Sequence, residues 1–371
     1  MRENKNMKIL HFNSNISKNS GVLSVIMNYY KTINKDAIQF DFLYFRDSDI
    51  SYKDEIKKLG GRVYAICDPK NVVLFRKQLK NFLKLHQNEY DIVHIHDSIF
   101  ARFMYNVLKK NGVKCVIIHS HATNYSDRKI STIRNSLLCH NIYKYADALF
   151  ACSQAAGKFM FCGKKFYVMN NAIITTNFRF SEEKRAEIRK KMNIKDKFVV
   201  GHVGAFVNQK NHTFLLEIFK EILKKNKNSV LLLIGDGPLF QDIVEKVKLL
   251  KIEDKVVFLG KRSDVNDLYQ AMDIFILPSL FEGLPMVGVE AQCSSLPIIM
   301  STEITEEAGI RQFKFLKLTD DANIWAEKTI KMYKNNQRNK EKALEAITSH
   351  GFNIEVESEK LESKYFELIL R

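Results

Sequence analysis

Short apolar runs rich in Val, Ile, Leu and Phe recur along this chain, and the stretches between them repeat their apolar residues every three or four positions. The first pattern reads as buried strands, the second as amphipathic helices. Strands are expected over residues 7–12, 40–45, 62–66, 91–96, 114–120, 148–152 and 165–169, with helices over 22–33, 52–59, 74–86, 100–110, 130–145 and 155–162 between them. A polar, irregular stretch near 171–180 interrupts the pattern. It restarts with a charged helix over 182–192, then strands over 198–204, 229–234, 256–259, 273–277 and 297–300. Helices are expected over 213–225, 239–250, 265–272, 323–334, 337–347 and 352–370, and a further one opening at Pro285. Such alternation argues for parallel sheets covered on both faces, an α/β fold. Two similar halves separated by a hinge predict two doubly wound, Rossmann-like domains facing across a cleft, 1–172 and 173–352, with the last helix, 353–371, joined to the first domain.

Composition supports two cores. The chain has 371 residues, 46% hydrophobic and 27% charged, as in ordinary globular proteins. Its 58 Lys and Arg exceed 42 Asp and Glu by 16. That excess points to an anionic partner, be it nucleic acid, an acidic membrane surface or phosphorylated small molecules, or to a basic proteome alone. Cys67, Cys115, Cys139, Cys152, Cys162 and Cys293 form no C-x-x-C pair and read as reduced residues of a cytosolic protein. No apolar run resembles a signal peptide or approaches the roughly 18 residues of a membrane span, so any membrane contact is expected to be peripheral.

Ligands of doubly wound sheets bind beyond the carboxyl ends of the strands. The polar loops at those ends are 13–21, 119–127, 205–212, 235–238 and 279–285. In the last of them Glu282 precedes a helix opening at Pro285, and Glu290 follows inside that helix. The first N–H groups of a helix lack internal partners and can bind a phosphate. Flanking carboxylates would repel that phosphate, so both acids are expected to grip hydroxyls at the two ends of one ligand. Lys210, with Gln209, Asn211 and His212, can hold a diphosphate and stabilise charge left on it. His94 and His96, like His119 and His121, share a strand face, which permits two metal ligands, but no carboxylate or cysteine completes a set. His121 is instead expected to meet a substrate hydroxyl, with His94 and His96 as structural groups. Arg76, Lys77, Lys80 and Lys84 around Leu79, Phe82 and Leu83, the trio Arg128, Lys129 and Arg134, and Lys158, Lys164 and Lys165 near Phe159, Phe161 and Phe166 read either as solvated faces or as a cationic surface for anionic lipid.

The segments VGAFVNQKNH, LLIGDGP, FLGKRSDV, SLFEGLPMVGVEAQ and SLPIIMS, in this order, resemble family 4 retaining glycosyltransferases of the GT-B fold, especially those of bacterial capsule and exopolysaccharide assembly. HIHD, HSH and ACSQAAGKFMF extend the likeness more loosely to the first half. The resemblance implies a nucleoside-diphosphate sugar donor, a lipid-linked glycan acceptor, no metal or other cofactor, and retention at the anomeric carbon. It assigns donor-sugar hydroxyls to Glu282 and the ribose to Glu290. Gly283, Leu284 and Met286 would make backbone contacts, Lys210 would hold phosphate, Gly21 belongs to the N-terminal loop, and Lys261 and Arg262 lie near the base. His121 matches the histidine by the reaction centre. Ala205 stands where many members carry a phosphate-binding arginine, and the N-terminal loop has one glycine where two are usual. The protein is thus expected in the cytoplasm, peripheral on the membrane, with no nucleic-acid partner. Glu282→Ala is expected to abolish transfer in a folded protein. A nucleotide-sugar epimerase or hydrolase on the same fold, or a non-catalytic sugar- or nucleic-acid-binding protein, are the alternatives.

Overall fold

The computed structural model describes residues 6–121, 129–335 and 337–370. The chain divides into two compact units, Met1–Ile173 with Ile354–Arg371, and Ile174–Asn353. In the first, β1 (Met7–Asn15), β2 (Ile38–Arg46), β3 (Val63–Ala65), β4 (Ile92–Ile95), β5 (Cys115–Ser120), β6 (Ala148–Ala151) and β7 (Tyr167–Val168) lie in the order β3-β2-β1-β4-β5-β6-β7. In the second, β8 (Phe198–Val203), β9 (Ser229–Ile234), β10 (Val256–Gly260), β11 (Ile274–Leu277), β12 (Ile298–Ser301) and β13 (Phe313–Leu316) lie in the order β10-β9-β8-β11-β12-β13. All these pairings are parallel. Each sheet reverses its direction of growth once, between β1 and β4 and between β8 and β11, the switch point of a doubly wound fold.

The period of two along each strand divides the side chains between the faces. In the first unit Leu10, Phe12, Val93, Ile95, Val116 and Ile118 pack with Phe75, Leu79, Leu83, Met104 and Leu108 from the helices Val72–Leu85 and Ala101–Lys110. The second unit buries Val200, Leu231, Leu233 and Ile274 with Leu215, Phe219 and Trp325 on one face, and Val199, Leu232, Phe275 and Leu277 with Leu268, Tyr269 and Leu296 on the other.

Several boundaries differ from the sequence reading. β1 runs on to Asn15, and Gly21 is the first residue of the helix Gly21–Thr32 rather than part of an open loop. A Cβ on Gly21 would meet nothing within 4 Å, so packing does not require glycine there. The long helix expected over 130–145 is Lys129–Cys139 followed by a 3-10 turn at Ile142–Tyr145, because Asn141 between them takes the left-handed conformation at φ 53°. β13 was not foreseen: of its four residues only Leu316 is buried, so its apolar signal is weak. Among the described residues no helix is long and apolar enough to cross a membrane. None of the six cysteines is in a disulfide.

Candidate functional site

In the second unit the loops after β8 and β11 meet. Gly204, just past β8, lets Lys210 fold back over the strand end: a Cβ there would lie 3.2 Å from Cγ and Cδ of Lys210. A 3-10 turn, Asn208–Lys210, then ends at Asn211, whose left-handed φ of 53° starts the helix His212–Lys225. Asn tolerates that conformation because its short side chain can bond locally. The loop after β11 is laced to this turn by hydrogen bonds from Leu280 N to Gln209 O at 2.8 Å and from Gln209 Nε2 to Phe281 O at 2.9 Å. The lacing brings Lys210 Nζ to 2.6 Å from Glu282 Oε1. Ser279 Oγ donates to the same oxygen at 2.6 Å, and Ser301 Oγ, at the end of β12, donates to Ser279 O at 2.6 Å. The lysine and glutamate side chains are only 16% and 9% exposed. Among the described residues, no hydrogen bond reaches Glu282 Oε2.

Glu282 lies in the loop, held by a bridge to Ile304, and the helix begins only at Met286 with Pro285 as its N-cap. The two acids therefore sit on different elements, Glu282 in the loop and Glu290 in the helix. No side chain caps the helix Met286–Cys293. Gly288 N already bonds Pro285 O, which leaves the N–H groups of Met286 and Val287 as the unpaired ones expected at a helix start. Glu290, one face further along, accepts from Tyr269 Oη at 3.0 Å. Burial drives the Glu290 carboxyl from its ordinary 4.5 up to about 7, against the hydrogen bond from Tyr269, which lowers it. Burial raises the Tyr269 hydroxyl as well, and the neighbouring Glu290 adds to the shift.

The histidines of the first unit form a cluster that sequence did not reveal. Alternation along β1, β4 and β5 puts His11, His94, His96, His119 and His121 on one face. His11 Nδ1 lies 2.9 Å from His96 Nε2, and His96 Nδ1 lies 2.9 Å from His121 Nε2. His94 Nε2 lies 3.2 Å from His119 Nδ1, and its Nδ1 meets Tyr365 Oη at 2.9 Å. Burial keeps all five imidazoles neutral, with His11 and His121 lowered to about 3 and the others well below 6.5. His11, His94 and His96, and likewise His96, His119 and His121, each bring one ring nitrogen to within 4.8 Å of the other two. The third ligand that the sequence reading missed is thus another histidine. His94 and His96, expected to be merely structural, bond directly to the rest of the cluster, and His96 bonds to His121 itself.

The remaining expectations are scattered. Lys261 and Arg262 follow β10 and are exposed; Arg262 pairs with Asp264 at 2.6 Å. His212, assigned to the loop, is buried with its ring 4.2 Å from that of Phe206. Ala205 is exposed. On the helix Val72–Leu85 the apolar residues named from sequence face inward: Leu79 and Leu83 are core, and Phe82 packs on Tyr64. The exposed apolar residues are Val73, Leu74 and Leu85. Phe161 is likewise core. Arg128 and most of the loop after His121 lie outside the described residues. Sequence also missed Ser279, Ser301 and Tyr269, whose hydroxyls carry no pattern until neighbouring strands bring them to the acids.

Two family models match this chain. Residues 20–175 match Glycosyltransferase Family 4, and residues 184–348 match Glycosyl transferases group 1. The protein named as glycosyltransferase EpsF of Bacillus subtilis is 32% identical over 336 residues, 86% of each chain. A UDP-Gal:alpha-D-GlcNAc-diphosphoundecaprenol alpha-1,3-galactosyltransferase of Escherichia coli is 27% identical over 83% of this chain and 84% of its own. The crystal structure of HepE from Anabaena in complex with UDP superposes with a TM-score of 0.80 at 19% identity, over 97% of this chain and all of that one. The fold is that of the GT-B enzymes.

Proposed function

The chain belongs to the family 4 glycosyltransferases, and from that premise we propose that it moves a sugar from a nucleoside diphosphate to a lipid-linked glycan, with retention at the anomeric carbon, in cell-surface polysaccharide synthesis. The observation that carries this reading is the Lys210–Glu282–Ser279 cluster just ahead of the uncapped helix Met286–Cys293.

Glu282 Oε1 is taken by two donors, which leaves Oε2 for a donor-sugar hydroxyl. The pair with Lys210 is neutral overall, so the carboxylate does not repel a nearby diphosphate. Lys210 spends one of its N–H groups on Glu282 and keeps two for phosphate oxygens. The amides of Met286 and Val287 supply the rest of the diphosphate cradle, and Gly283 and Leu284 add backbone contacts to the sugar. In this arrangement charge that develops on the departing diphosphate meets fixed donors. Glu290 takes the ribose hydroxyls, and Lys261 and Arg262 lie toward the base; in the first unit, taken by itself, Gly21 opens the N-terminal helix and His121 offers a ring nitrogen to a sugar hydroxyl. No metal is assigned. A carboxylate held by Lys210 and Ser279 is a poor nucleophile, which favours attack on the face the leaving group vacates. The acceptor oxygen bonds to the anomeric carbon, the bond from that carbon to the phosphate oxygen breaks, and the acceptor proton passes to the leaving phosphate.

The names of the relatives support a uridine diphosphate sugar as the first donor to try and a polyprenyl diphosphate-linked saccharide as the acceptor. The helix Val72–Leu85 supports a peripheral seat on the cytoplasmic membrane face. Val73 and Leu85 are 81% and 84% exposed among the exposed Arg76, Lys77, Lys80 and Lys84. Exposed Ile133 and Leu137 beside Arg134 offer a similar surface.

The test is transfer from a panel of nucleotide sugars to a polyprenyl diphosphate-linked saccharide in vesicles containing anionic lipid, with the new linkage assigned by NMR. A product that keeps the anomeric configuration of the donor is expected. An inverted product would refute retention. Donor isomerisation or stoichiometric free sugar without transfer would favour the epimerase or hydrolase instead.

A further inference from the structure

The five histidines of the first unit are ordered by their hydrogen bonds, and that order has a chemical consequence. Five imidazoles in one place suggest a metal, but their geometry suits proton sharing better. His119 and His121 stack at 4.0 Å with planes 27° apart, and His94 and His96 at 4.4 Å and 20°. Ring lone pairs lie in the ring plane, so stacked rings aim them side by side rather than at one point. The linked nitrogens are 2.9 to 3.2 Å apart, hydrogen-bond lengths. Two nitrogens on one tetrahedral zinc would stand roughly 3.3 Å apart.

Each neutral imidazole carries one N–H, and each link between two rings needs one proton. Along His11–His96–His121 only two arrangements satisfy both links. In one, all three rings are protonated on Nδ1. In the other, all three are protonated on Nε2. No mixture works, because His96 would then have to donate twice or not at all. The second arrangement places a proton on His11 Nε2, which is buried without a hydrogen-bond partner. An orphaned buried N–H is the rarer and costlier fault, so the first arrangement is favoured. His11 Nε2 then presents only a lone pair, with the Phe40 ring centroid 4.2 Å from its own. The other chain, Tyr365–His94–His119, has no hydrogen bond to His121 among the described residues and does not set its tautomer.

We infer that His96 and His11 are positioning residues that lock His121 as a neutral imidazole protonated on Nδ1, so that its remaining nitrogen is a fixed hydrogen-bond donor to a substrate oxygen. The substrate part rests on the proposed transferase reading; the tautomer does not. A donor that cannot turn into an acceptor selects a lone pair on the sugar and turns away any group that offers only a hydrogen.

Selective 15N-histidine NMR of the wild-type chain reads the tautomer directly. The expected result is His121 protonated on Nδ1 alone. His96→Phe should give His121 a mixture of tautomers and lower kcat/KM on the order of tenfold, the worth of one neutral hydrogen bond. His96→Asn, whose amide can still donate to His121, should restore both. A wild-type His121 protonated on Nε2 would overturn the inference whatever the activity. So would stoichiometric zinc held by the wild-type protein and lost in His96→Phe. A correct tautomer with transfer indifferent to both His96→Phe and His121→Phe would overturn the substrate contact and leave the chain of protons standing.

Discussion

Glu290 gives the sharpest energetic forecast. Its carboxyl is raised from 4.5 to about 7 by burial. Between those values the folded protein holds a proton that the unfolded chain has released, so stability falls as pH rises through this window and levels off above it. Below 4.5 both states are protonated and the group contributes nothing. At about 1.4 kcal/mol per pH unit the full penalty is about 3 kcal/mol. Glu290→Gln keeps the shape, can still accept from Tyr269 Oη and does not ionise. The chain has one tryptophan, Trp325, buried in the second unit with Nε1 donating to Lys317 O at 3.1 Å. Its fluorescence therefore reports unfolding of the unit that holds Glu290. Urea titrations from pH 5 to pH 8 should show the wild type losing about 2.5 kcal/mol relative to Glu290→Gln. Curves that stay parallel across that range, or separate toward acid, would refute a buried, raised carboxyl at this position.

Three further outcomes follow from the same geometry. Glu282→Gln and Lys210→Met should each lower the stability of the second unit by about 3 kcal/mol, because each strands a partly buried charge, and the double variant should cost clearly less than both together; additive losses in the same fluorescence assay would contradict the pair. This revises the expectation that Glu282→Ala simply removes activity from an intact fold. Gly235→Ala should cost more than about 3 kcal/mol, since Gly235 has φ 141° and a Cβ would lie 2.0 Å from Gly204 O; a melting temperature unchanged from wild type would argue against this loop. Transfer activity should survive treatment with EDTA, because the two remaining N–H groups of Lys210 and the amides at the helix start supply the donors to the diphosphate; a loss restored by a divalent cation would refute that assignment.

The linear order of residues determined a good deal here. The alternation of apolar runs with amphipathic stretches dictates parallel, doubly covered sheets, since a strand buried on both faces must be apolar throughout. The loop motifs at the strand ends carry the likeness to the family, and Glu282, Glu290, Lys210 and His121 are visible in them. Only the tertiary structure decided what those residues do to one another. Lys210 and Glu282 are one ion pair because the β8 and β11 strands are neighbours, although 72 residues separate the two side chains. The Glu290 carboxyl is pushed up to about 7 by burial, against the hydrogen bond from Tyr269, and burial cannot be read from a helix pattern that shows one acid among small residues. His11, 85 residues from His96, joins it because β1 and β4 pair in register. Spacing along the chain fixes which face a side chain takes, whereas its partner, its solvent and its proton are set by the strand that lies alongside.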